Sequence, residues 1–147
     1  MKYQTSNLWV MAITMLCLLI SFSASVWAEG GYGAADKKVA ATIGDDGVQR
    51  VDITGGEYYF EPAHIIVQIN KPVELMVRKA GGFVPHNIIV KAPEAGIDFD
   101  TGMGKKFKPI SFTPTRTGKY IMYCDKRFLW FKTHQHKGME GIIEVVE

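Results

Sequence analysis

The sequence predicts an all-β fold, an antiparallel Greek-key β-sandwich. Three observations lead there. Short runs of alternating apolar and polar residues recur from Val48 to the C-terminus. Gly, Pro and Asn interrupt these runs at close intervals. No stretch of about a dozen residues carries a helical apolar period. The 147 residues give room for one domain of ordinary size. With 47% hydrophobic and 22% charged residues, the composition is that of an ordered globular chain. The net charge of +2 excludes a nucleic-acid binder, which needs a strongly basic face.

Taken in order, the chain opens with Lys2 and an unbroken apolar run over residues 8–20 (LWVMAITMLCLLI). That run is short for a bilayer span and suits the core of a signal peptide. Small residues at 21–28 (SFSASVWA) follow, with Val26 and Ala28 in A-x-A-like positions, so cleavage is expected after Ala28. Residues 1–28 are therefore read as a leader for export to the periplasm, with no stable membrane insertion once it is removed. Residues 29–47, rich in Gly, Ala, Asp and Lys and without periodicity, read as a flexible arm. Residues 48–147 form the domain.

Within the domain, residues 48–53 predict a first strand closed by Gly55-Gly56, and residues 58–60 a short one before Pro62. Residues 64–69 follow, with Ile65, Val67 and Ile69 on one face. A turn at Asn70-Lys71-Pro72 leads to residues 73–78, where Val73, Leu75 and Val77 alternate with polar or flexible neighbours. Gly81-Gly82 breaks that strand. Residues 87–91 form the next, and residues 92–108 read as irregular. Residues 109–113 and 119–124 flank a turn at 114–118, and residues 141–146 close the chain.

Cysteine usage points to chemistry. Removal of the leader takes Cys17 and leaves Cys124 alone, so no disulfide can form within the mature chain. A lone thiol in an oxidising compartment is a liability unless it is buried or holds a metal. Cys124 lies at the end of a strand in which Tyr120, Met122 and Cys124 share a face. Within 16 residues follow His134, His136 and Met139, just before the last strand; His86 lies far upstream in Val84-Pro85-His86-Asn87. One thiolate, two imidazoles and a weak thioether make the ligand set of a mononuclear copper site. Zinc more often recruits further Cys, His or carboxylate ligands. These residue types leave the choice between His134 and His136 open.

The tail His134-Gln135-His136-Lys137-Gly138-Met139-Glu140-Gly141 resembles the plastocyanin pattern H-Q-x-x-G-M-x-G, and Pro85-His86-Asn87 resembles the segment supplying the first histidine of the plastocyanin, azurin and amicyanin family. The resemblance covers residues 48–147 and implies a cupredoxin. It implies one copper ion per chain held by His86, Cys124, His134 and Met139, with Asn87 bonding across to the segment near Cys124. Nine residues, 125–133, separate Cys124 from His134, more than in plastocyanins or azurins. That loop resembles a small bacterial subgroup with an apolar-aromatic stretch before H-x-x-K-G-M-E-G, and it leaves blue or green colour open.

The function so implied is a monomeric one-electron carrier of the periplasm, serving a redox partner protein through the solvent-facing edge of a histidine. Copper handling or copper tolerance is the alternative. An enzyme of the multicopper or nitrite-reductase kind is not expected, because four histidines in one domain cannot build its further centres. Residues 128–131 read either as a lid over the copper or as an exposed docking patch. His64 reads as a surface residue. Met103, in a Gly-rich segment, reads as a chance placement, with an extra soft ligand as the other reading.

Overall fold

The computed structural model describes residues 38–127 and 129–147. The expected leader and the first part of the expected arm lie outside them. Eleven strands form two sheets, with no α-helix among the described residues. The strands are β1 (Lys38–Ala40), β2 (Thr42–Ile43), β3 (Gln49–Gly56), β4 (Tyr59–Glu61), β5 (His64–Gln68), β6 (Val73–Lys79), β7 (His86–Ala92), β8 (Ile97–Met103), β9 (Lys108–Phe112), β10 (Gly118–Tyr123) and β11 (Glu140–Val146). One sheet runs β1-β5-β11-β10-β7-β8. The other runs β2-β3-β6-β9, with β4 paired to β3.

Alternation in sequence becomes alternation in burial. In β6, Val73, Leu75 and Val77 are buried between the sheets while Arg78 is exposed. In β3, Val51 and Ile53 do the same beside exposed Asp52. β7 is buried almost throughout, as a strand flanked by neighbours in the middle of a sheet should be. The core between the sheets gathers Ile53, Phe60, Ile65, Leu75, Ile88 and Ile143, none more than 1% exposed. A polar link crosses it: the buried Gln49 on β3 donates Nε2 to the Gln68 carbonyl at 2.9 Å and accepts the Gln68 amide at 2.6 Å. Both polar ends of its amide are thereby engaged, as burial demands.

Four expectations need correction. The sandwich is mixed, because β1–β5, β5–β11 and β3–β6 pair in parallel. Gly55 and Gly56 belong to β3 and do not close it. The expected arm carries β1 and β2; these are edge strands of two or three residues, whose order comes from pairing with β5 and β3 and not from local pattern. The stretch 92–108 holds a 3₁₀ turn (Pro93–Ala95) and all of β8. Asp98, Asp100 and Gly102 are poor strand formers, and they mask an alternation in which Ile97 and Met103 are buried.

The turn into β8 rests on Gly96, at φ +71°, where an added Cβ would stand 2.4 Å from the Thr113 carbonyl oxygen. Gly96→Ala is expected to destabilise the domain by about 1–3 kcal/mol, read as a lower urea midpoint.

Candidate metal centre

Three strands deliver the donors to one end of the six-stranded sheet. β7 starts at His86, β10 ends one residue before Cys124, and β11 starts one residue after Met139. Because β10 is antiparallel to both β7 and β11, these three termini meet at the same edge. The inward alternation of β10 then places Met122 and Cys124 on the core side.

The long Cys-to-His loop does not carry His134 away. The His134 amide donates to the Lys126 carbonyl at 2.8 Å, and the Gln135 amide to the Cys124 carbonyl at 2.9 Å. These two bonds pinch the loop at its base, so that its described residues, 127 and 129–133, lie outside the ligand path. A 3₁₀ turn, Gln135–Lys137, follows and closes on Gly138 at φ +96°. The Met139 amide donates to the His134 carbonyl at 3.0 Å, and the Cys124 amide to the Met139 carbonyl at 3.2 Å. The backbone thus binds Cys124, His134 and Met139 to one another.

The donor atoms converge. Those of His86, Cys124 and His134 all lie within 4.8 Å of one another. The two Nδ1 atoms are 3.1 Å apart, and Cys124 Sγ is 3.5 Å from His134 Nδ1. Donors sharing one ion at roughly 2.0–2.3 Å stand about 3–4 Å apart, so the residues fit a single metal ion. Met139, wholly buried, adjoins them. His136 is not part of the group: it is exposed, and its Nδ1 faces Thr133 Oγ1 at 2.6 Å. His64 is not a surface residue either; it is buried, with Nε2 2.7 Å from Glu144 Oε2.

Asn87 clamps the site. Its Nδ2 donates to Asp100 Oδ1 and Asp125 Oδ1, both at 2.9 Å, and its Oδ1 accepts the Asp125 amide at 3.2 Å. Its own amide points at Cys124 Sγ, 3.5 Å away. Asn87→Ala is expected to weaken metal binding about 10- to 100-fold, measured by chelator competition.

Burial sets the electrostatics. It pushes the Cys124 thiol up, against the pull of the Asn87 and Lys126 amides. It pushes His86 down, aided by His134 and Lys79, and pushes His134 down, aided by Lys137. Two imidazoles held neutral present lone pairs to a cation, and the cation supplies the charge that a buried thiolate needs.

Neither imidazole has a solvent-facing edge, contrary to expectation: His86 is 4% exposed and His134 1%. Tyr58 packs edgewise on His134, ring centroids 5.3 Å apart, and its hydroxyl accepts Lys137 Nζ at 2.8 Å. Tyr58 has φ +67°, which a bulky residue seldom adopts, and this cover has no signal in the sequence. Behind it His134 Nε2 is buried with no hydrogen-bond partner among the described residues. Of the stretch 128–131, residue 128 lies outside the described residues, and Leu129, Trp130 and Phe131 are all exposed.

No protein-family model matches the sequence, and neither does any curated protein. Solved structures do match in three dimensions. The metal-binding domain of the Cu(I)-exporting P-type ATPase CopA from Streptococcus pneumoniae D39, solved with Cu(I), is 24% identical. It matches over 76% of this chain and 98% of its own, with a TM-score of 0.58. An auracyanin from the photosynthetic bacterium Roseiflexus castenholzii is 18% identical over 73% and 99%, TM-score 0.54. Auracyanin A, a "blue" copper protein from Chloroflexus aurantiacus, is 19% identical over 68% and 100%, TM-score 0.53. At such identities the likeness speaks for the fold alone, and the fold of this chain is cupredoxin-like.

Proposed function

We propose that the chain is a periplasmic, mononuclear copper-binding protein that carries one electron at a time between Cu(II) and Cu(I). The observation that carries this reading is the preformed donor group: a buried thiol and two imidazole nitrogens within 4.8 Å of one another, on strand ends tied by Asn87. His86, Cys124 and His134 would hold the ion, with Met139 as the weak fourth donor. Copper would supply the one-electron couple. The protein's share is rigidity: donors fixed by two sheets move little when the ion changes charge, which favours fast transfer. The composition of the leader supports export, and a redox partner protein would take and give the electron. Among the described residues no helix is long and apolar enough to cross a membrane.

An absorption and EPR spectrum of the copper-loaded protein tests the centre, with His134→Ala and His136→Ala beside it. A thiolate-to-copper band that His134→Ala removes and His136→Ala keeps is the expected result. Loss of the band only in His136→Ala would overturn the ligand set. Reversible voltammetry with rapid self-exchange then supports a carrier.

One observation favours a second reading, custody of copper as part of copper tolerance. The buried histidine edges would slow exchange of electrons with a partner as well as of metal with solvent. Copper sensitivity of cells lacking the gene would speak for custody, and normal growth on copper against it.

A further inference from the structure

We infer that Met103 supplies a second thioether to this centre, giving it a preference for Cu(I); the inference rests on the copper reading above. Met103 is the last residue of β8 and stands directly opposite His86 in the antiparallel β7–β8 register. Residues directly opposite share a face of the sheet, with Cβ atoms roughly 4.5–5.5 Å apart. Both are buried, His86 at 4% and Met103 at 6%, so the thioether runs inward beside the imidazole.

Gly55, on the other sheet, shows where that thioether ends. A Cβ placed on Gly55 would lie 2.9 Å from Met103 Sδ and 3.2 Å from the Met139 methyl carbon. Two methionines, from β8 and from the turn before β11, therefore meet over one bare Cα of β3. The absence of a side chain at Gly55 leaves the room they share. Met139 is tied by its backbone to Cys124 and His134, and Met103 is paired with His86. Both thioethers thus reach the same point of β3 from backbone that is paired with, or bonded to, residues of the donor group.

The chemistry of such a set is directional. Thioethers are soft, neutral donors that suit Cu(I), and a second one stabilises the reduced ion more than the oxidised one. Met103 as mere filling is the competing account, because methionine adapts to irregular gaps. Leucine would fill the same gap without offering a lone pair, which separates the two accounts.

The full chain, labelled with ¹³C in its methionine methyl groups, is titrated with Ag(I), the closed-shell stand-in for Cu(I). The methyl signals of Met103 and Met139 should move together and be complete at one ion per chain, while Met76 on the outer side of β6 stays still. Movement of Met139 alone overturns the inference and leaves the copper reading standing. No binding of Ag(I), and no band with Cu(II), overturns both. In Met103→Leu, competition with a chromogenic chelator should show Cu(I) held about 10- to 100-fold more weakly, with a smaller loss for Cu(II). Unchanged Cu(I) affinity in that variant overturns the inference as well. The wild-type titration decides the matter even if the variant fails to fold.

Discussion

Cys124→Ser is expected to abolish the thiolate-to-copper band entirely and to weaken copper binding more than loss of any other donor. The thiol is fully buried, and burial pushes its ionisation up, so the metal-free chain holds it neutral near pH 7. Copper reverses that by placing a positive charge beside it. A serine hydroxyl is harder, ionises far less readily and gives no comparable charge-transfer absorption. The Asn87 amide, aimed at Sγ from 3.5 Å, can still donate to the serine oxygen, so the variant should remain folded. The check is an absorption spectrum of copper-loaded wild type and variant, with far-UV dichroism of both. A band that persists would mean that copper is bound elsewhere.

The second large effect concerns the frame that holds the donors. Leu75 lies in the middle of β6, fully buried, opposite Val51 on one side and Ile110 on the other. Leu75→Ala should cost about 2–5 kcal/mol, through lost transfer energy and the cavity left in a close-packed core. Domains hold only about 5–15 kcal/mol in total, so this is a large share. Urea unfolding of metal-free protein should show a lower midpoint at an unchanged slope. Ile121→Ala, at a position 58% exposed, is the control and should stay within about 0.5 kcal/mol of wild type. A loss at Leu75 no larger than that would mean the two sheets do not meet where the structure puts them. Copper, by binding only the folded chain, should recover part of the deficit.

The parts of the fold that announced themselves in sequence are those whose two faces differ. Val73, Leu75 and Val77, or Ile65 and Val67, alternate strongly enough to be read by eye. β8 hid because the residues on its open face, Asp98, Asp100 and Gly102, are usual in loops. β1 and β2 hid because two or three residues carry no period at all; their order comes from partners distant in the chain. The direction of pairing was equally invisible: β3 and β6 look alike whether they run together or against one another. At the site, the residues that the structure brings together, His86, Cys124 and His134, and the Asn87 clamp were legible from a tail motif and a tripeptide. Resemblance had to choose between His134 and His136, and the physical reason for the choice is the pinch at Lys126. A pair of backbone hydrogen bonds leaves no mark on residue types. His64 was misplaced for a related reason, since its partner Glu144 is far away in sequence.

The Tyr58–Lys137 clasp has a consequence for which small molecules can meet the metal. His86, Cys124, His134 and Met139 are each at most 4% exposed, so azide, peroxide or nitrite would meet a shielded donor group. Poisons that work by capture of copper should act slowly. On the Tyr58 side, entry or exit of the ion would need the Lys137 ammonium to let go of the Tyr58 hydroxyl and the ring to swing off His134. The same ring, 36% exposed, is then the threshold between the metal and whatever arrives from outside.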